Sequence, residues 1–155
     1  MKKIKIKVLS KQAIQTFKTN DKHIVISVRD PGSSRAKLFD QISRVDSLFL
    51  AFSDIEDTRH FEDIEIQKKA GIPFEIFTEA MSVLVWKFIN RHLPNIDLIV
   101  VNCEAGISRS AGIAPAISKV LDGDDEYFFK HYLPNSLVYN KILKEGMKHV
   151  KVQNQ

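Results

Sequence analysis

The chain of 155 residues has a single cysteine. It can form no internal disulfide and no cysteine-based zinc cluster of its own, which favours a reducing, cytoplasmic setting. Long hydrophobic runs are missing too. The longest, LFLAF and LIVV, fall far short of the about 20 apolar residues a membrane-spanning helix needs. The start, MKKIKIKVLS, is positively charged but alternates lysine with isoleucine and never builds the apolar stretch of a signal peptide. A soluble cytoplasmic protein without a membrane span is the expectation. There is no internal repeat, low-complexity tract or linker, so residues 1–155 are expected to form one domain with its own core. His23, His60, His92, His131 and His149 show no metal-ligand spacing and are expected to be structural or solvated, with His60 the one placed near a site. A long basic block is absent as well. The formal net charge of +4 comes from scattered lysines, which reads as a solvated basic surface. That surface suits a phosphorylated partner and leaves nucleic acid open.

Strand and helix patterns alternate along the chain. KIKIKV (residues 3–8) has period two and predicts a half-exposed strand. SKQAIQTFK follows with Ser10 as a candidate N-cap of a short helix. HIVISV (23–28) predicts a buried strand stopped by the turn signal RDPGSS, and SLFLAF (47–52) another, with a short helix around 36–42 between them. Residues 53–72 are polar, acidic and weakly periodic, which predicts a long loop. Pro73 is expected to open the most clearly patterned helix, its core stripe made of Phe74, Phe77, Met81, Leu84, Val85 and Phe88, with Trp86 packed in the core as well. IDLIVVN (96–102) predicts a fully buried strand. The order implies an α/β fold with a mostly parallel central sheet flanked by helices. Ligands of such sheets bind beyond the carboxyl ends of the strands, where the one cysteine falls.

CEAGISRS (103–110) joins that last strand to a helix of small residues. Inward-facing amides of such a loop, with the positive end of the helix behind them, form a cradle for an anion. Gly106 lets the backbone turn, and Arg109 offers a planar fork for two oxygens of one phosphoryl group. A thiol in that positive field, Cys103, is favoured as the thiolate. The ordinary alternative for a lone cysteine is an inert buried side chain. One mechanism accounts for Cys103, Gly106, Ser108, Arg109 and Ser110 together, which outweighs it.

The C-x5-R-S pattern of this loop resembles the signature of the cysteine-dependent protein tyrosine phosphatases, most closely the small dual-specificity type. PNSLVYNKIL (134–143) is similar to a further pattern of that group. The resemblance spans about residues 23–145 and implies a protein tyrosine phosphatase-like fold of the dual-specificity type. It also implies hydrolysis of phosphate monoesters, phosphotyrosine and phosphoserine or phosphothreonine in proteins, through a cysteinyl-phosphate. Cys103 would be the nucleophile and Arg109 the transition-state clamp, while Ser110 would stabilise the departing thiolate. Glu104, Ala105, Gly106, Ile107, Ser108 and Arg109 would bind the phosphate, with Glu104 pointing outward. No metal or cofactor is implied. The general acid would be an aspartate of the acidic loop. Asp54, directly after SLFLAF, is the first choice and Asp57 the second, whereas Asp63 is expected to be solvated. Two features depart from the family pattern. Asn102 stands where histidine usually precedes the cysteine, keeping hydrogen-bonding capacity without charge. Pro115 falls in the helix after the loop, where it either kinks the helix or lies close enough to its start to be tolerated. Other occupants of the same fold act on RNA 5′-phosphates or phosphoinositides, and a weakly catalytic phosphoprotein-binding module is the non-enzymatic alternative.

Overall fold

A computed structural model describes the backbone of residues 2–56 and 61–153, with side chains outside 61–63 and 150–153. Asp57 and His60 lie outside the described residues, as does the side chain of Asp63.

Four strands form one sheet in the order β1-β4-β2-β3: β1 Lys5–Ser10, β2 His23–Arg29, β3 Arg44–Ala51 and β4 Leu98–Cys103. Every pair is parallel. All four carboxyl ends therefore lie along one edge of the sheet. The two interior strands are buried on both faces, as expected of strands covered on each side. One face carries Ile24, Ile26, Val28, Ile99, Val101 and Cys103. It shares one core with α3 (Glu79–His92) and α4 (Arg109–Asp122), through Val85, Trp86, Ile89, Ile113 and Ile117, and α6 (Ser136–Gln153) packs on these two helices, adding Ile142 to the same core. The other face, with Val25, Leu98 and Val100, is covered by Ile14 of α1 (Lys11–Ile14) and by Ala36 and Leu38.

Ser10 caps α1 as its sequence pattern predicts, its hydroxyl accepting from the Ala13 amide at 3.0 Å. Four other expectations change. No helix forms over 36–42. Ala36 and Leu38 cover the sheet face without helical structure, and Gln41 ties this segment to the Phe17 carbonyl and the Thr19 amide at 3.0 and 3.1 Å. The acidic stretch is not all loop. It holds α2 (Phe61–Lys69), built mostly of good helix formers, with Ile64 buried. The long helix starts at Glu79 rather than Pro73, because Thr78 caps it by accepting from the Met81 amide at 3.2 Å. Phe77 still enters the core, from the non-helical segment before the cap, edge-on to Phe52 at 4.9 Å. Leu84 leaves the predicted stripe and is exposed, while Trp86 is buried and donates its indole N–H to the Ile142 carbonyl at 2.8 Å. Pro115 is buried inside α4, and the helix runs on to Asp122. A short helix, α5 (Glu126–His131), precedes α6.

Candidate active site

The carboxyl ends of the strands bring four segments together. Cys103 ends β4, and its thiol is buried at 2% exposure. Its Sγ accepts the Gly106 amide N–H at 3.3 Å and lies 3.0 Å from the Ser110 hydroxyl. Gly106 has a φ of +71°, and a Cβ there would lie 2.8 Å from the Leu9 carbonyl carbon and the Ser10 nitrogen. The loop can thus wrap the sulfur and pass directly against the end of β1 only because residue 106 has no Cβ. Glu104, Ala105 and Ile107 are exposed, Gly106 is buried, and Ser108 is half-buried. Glu104 points outward as expected, with Lys11 Nζ 4.0 Å from its carboxylate and the Lys11 amide donating to its carbonyl at 3.1 Å.

Ser108 occupies the N-cap of α4 but makes no capping hydrogen bond with its side chain. Its hydroxyl instead donates to Asp54 Oδ1 at 2.9 Å. The first amides of α4 therefore keep no side-chain acceptor from their own cap, the condition under which a helix start can serve an anion. Arg109, the first residue of α4, is buried, and its Nη1 donates to the Phe52 carbonyl at 2.9 Å and to Asp30 Oδ1 at 2.6 Å.

Asp54 follows β3, and its Oδ1 also accepts from Asn135 Nδ2 at 2.8 Å. Both hydrogen bonds fall on one oxygen, leaving Oδ2 free of protein donors among the described residues. Asn135 is fully buried and joins three segments. Its amide also donates to the Ile55 carbonyl at 3.2 Å, its backbone N–H to the Ser108 carbonyl at 3.0 Å, and its Oδ1 accepts from Val138 at 3.1 Å at the start of α6. Neither Asp30 nor Asn135 stands out as a site residue in the sequence. Their signals are the turn RDPGSS and the PN of PNSLVYNKIL. The close packing extends to Gly112, where a Cβ would sit 2.7 Å from the Asn135 carbonyl oxygen.

Asn102 departs from what its polar amide suggests. It is fully buried between Leu9 and Ser27 in the register of the neighbouring strands, and neither amide atom has a hydrogen-bond partner among the described residues. Strand alternation turns it to the face opposite Cys103, so it contributes no hydrogen bond to the loop. The described histidines have their partners outside the loop. His23 contacts the Asp21 carbonyl at 2.9 Å, His92 meets Asp46 at 2.9 Å, His131 packs on Tyr127, and His149 lies 3.6 Å from Glu145. Among the described residues no three His, Cys, Asp or Glu side chains form a group able to hold a metal, and no helix is long and apolar enough to cross a membrane.

No protein-family model matches the chain, and no curated protein sequence does. Solved structures do. The human tyrosine phosphatase-like serine/threonine/tyrosine-interacting protein is similar at a TM-score of 0.52 and 15% identity, over 83% of this chain and 78% of that one. PTPMT1 is similar at 0.52 and 16%, over 97% and 94%. PTPMT1 in complex with PI(5)P gives 0.51 and 17%, over 88% and 82%. The fold is the protein tyrosine phosphatase fold, of the dual-specificity type. At such identities the likeness concerns the fold, which is shared with cysteine-dependent phosphatases.

Proposed function

We propose that this single-domain chain is a metal-independent, cysteine-dependent phosphatase of phosphate monoesters. Phosphotyrosine in proteins is the first substrate class, with phosphoserine and phosphothreonine beside it. The observation that carries the proposal is the position of Cys103 Sγ, 3.3 Å from the Gly106 amide and 3.0 Å from Ser110 Oγ, at the start of a helix whose first residue is Arg109.

Cys103 attacks phosphorus as the thiolate. The S–P bond forms as the P–O bond of the ester breaks, and the leaving oxygen takes a proton from Asp54 Oδ2. Arg109 and the amides of residues 104–109 hold the three equatorial oxygens, whose charge grows toward the transition state. Water then attacks the cysteinyl-phosphate, gives its proton to Asp54 and releases orthophosphate. The thiolate departs toward the Ser110 hydroxyl, which donates to it. Asn135 and Ser108 keep the Asp54 carboxyl at the loop throughout.

Cys103→Ser is the decisive variant. A hydroxyl is scarcely ionised, so turnover of an aryl phosphate in the presence of EDTA should vanish while phosphate binding persists. Rapid quenching of the unsubstituted protein should trap phosphate on Cys103. Residual turnover in the serine variant would refute the covalent route.

A second substrate class has one observation behind it: PTPMT1, of the same fold, has been captured with PI(5)P. Faster hydrolysis of a phosphoinositide than of a phosphotyrosine peptide would move the assignment there. Phosphopeptide binding without turnover of any ester would make the chain a binding module.

A further inference from the structure

β1 is an outermost strand of the sheet, and its outer edge is unpaired among the described residues. The strand pairs with β4 alone, and its Lys5 amide donates to the Asp97 carbonyl at 3.0 Å. Successive residues of a strand send their backbone groups to opposite sides, so Lys5, Lys7 and Leu9 serve β4 while Ile6 and Val8 turn theirs outward. Among the described residues these outward N–H and C=O groups meet no partner. Such a row is a template for one more strand.

A groove runs along this edge. Two adjoining cavities of about 330 and 390 Å³ share Lys5, Ile6, Tyr127 and Phe128, and the second continues past Val8 to Tyr132. The far wall is aromatic. Tyr127 of α5 is 58% exposed, yet its ring is held edge-on to Phe128 at 5.3 Å and against His131 at 4.5 Å. Ile6 and Val8 join the core on the side of Phe128 and Tyr132. Lys5 and Lys7 point to the opposite face, where Lys5 Nζ lies 3.7 Å from Asp21 and Lys7 Nζ 5.6 Å from the centre of the Phe17 ring. Exposed contacts of this kind are weak and yield to a better partner. The carboxylates at the groove are already engaged within the fold. Asp122 pairs with Lys3 at 3.7 Å, Asp124 accepts the Glu126 amide at 2.9 Å, and Asp125 accepts the Tyr139 hydroxyl.

This pattern selects an occupant. A second copy related by a two-fold axis would pair β1 antiparallel with itself. Its hydrogen-bonded pairs would join outward residues, all even-numbered, so odd-numbered residues would always oppose odd-numbered ones. Lys3, Lys5, Lys7 and Lys11 are all odd-numbered, and every register sets at least one lysine against another at the closer, non-hydrogen-bonded positions. Self-pairing is thus repelled, and acidic residues at the same positions are attracted. We propose that the β1 edge is a docking site for an extended segment of another protein in which acidic and apolar residues alternate. Added as an antiparallel strand, the segment sets its acidic residues opposite Lys5 and Lys7. Its apolar residues pair with Ile6 and Val8 and lie against the Tyr127 wall. This stands apart from the phosphatase reading and uses none of its residues.

The probe is a capped decapeptide of alternating glutamate and valine, compared with one of five glutamates followed by five valines. Calorimetry should give a Kd below about 100 µM for the first and at least ~10-fold weaker binding for the second. Amide hydrogen exchange followed by NMR should slow at Ile6 and Val8 when the alternating peptide is bound, and stay unchanged at Lys5 and Lys7, whose amides already serve β4. Lys5→Glu combined with Lys7→Glu should weaken the glutamate peptide at least ~10-fold and confer binding of an alternating lysine–valine peptide. Ile6→Pro removes an outward N–H and leaves the β4 ladder intact, so it should bind more weakly than Ile6→Ala. If the proline variant fails to fold, the exchange data on the unsubstituted protein and the charge swap decide. Equal binding of the two glutamate peptides would mean that the lysines merely attract acid. Protection at other amides in place of Ile6 and Val8 would put the peptide elsewhere, and no binding up to about 1 mM would leave the edge without this occupant. Each of these results overturns the proposal.

Discussion

Gly106→Ala places a methyl group where the loop leaves no room, and its cost can be worked from two separate sources. The first is backbone strain. A non-glycine residue at a φ of +71° pays about 1–2 kcal/mol for the left-handed conformation. The second is overlap. The new Cβ would sit 2.8 Å from the Leu9 carbonyl carbon and the Ser10 nitrogen. Those are backbone atoms of β1, held by the ladder to β4 and by the Lys11 amide on the Glu104 carbonyl at 3.1 Å, so no flexible side chain can yield. Overpacking of this kind costs about 1–3 kcal/mol. The sum is about 2–5 kcal/mol, a large share of the 5–15 kcal/mol that holds a typical domain together. Urea denaturation should show the midpoint falling by about 1 M or more at an unchanged slope. Turnover should fall too, because the Gly106 amide that bonds to Cys103 Sγ must move with the loop. An alanine variant with a native midpoint and native turnover would refute the close passage of the loop against β1.

Asp54→Asn keeps an oxygen for the Ser108 and Asn135 donors, so folding should be unaffected. The proton for the leaving group is lost, and kcat for poor leaving groups should drop at least ~10²-fold, with little change for activated aryl phosphates. If Asp57→Asn produces that pattern and Asp54→Asn does not, the acid is Asp57. In α6, burial and the Asp125 carboxylate push the Tyr139 hydroxyl up to about 12. Its folded value lies above the unfolded value of about 10, so the stabilisation is complete below about pH 10 and is lost as pH climbs toward about 12. Tyr139→Phe should flatten the fall in urea midpoint over that range. Ultraviolet titration showing Tyr139 ionised near its unfolded value would contradict the burial of its hydroxyl.

Local pattern in the sequence is enough to determine several features of this protein. Alternation and continuous apolar runs mark all four strands, displaced by up to three residues, because a half-buried or fully buried strand writes its environment into consecutive positions. The Ser10 cap is legible for the same reason, since donor and acceptor lie three residues apart. So is the placement of Cys103 and Arg109 at the two ends of one short loop, because strand, loop and helix start are contiguous. Helix starts were less legible. Proline at 73 and threonine at 78 are both acceptable openings, and the helix takes Thr78 as its cap, with Phe77 packed against Phe52 from the non-helical segment before it. Tertiary structure alone decides the rest. Asp30 and Arg109 are 79 positions apart, and Asp54 and Asn135 are 81 apart. In sequence Asp30 is a turn residue and Asp54 one of several loop carboxylates, because composition cannot say which distant cation or amide a carboxylate will face. Leu84 fits a helical stripe but points to solvent, and Asn102 looks like a hydrogen-bonding residue yet is buried without a partner among the described residues. In each case the outcome depends on what the other end of the chain brings to the same place, and local propensity carries no record of that.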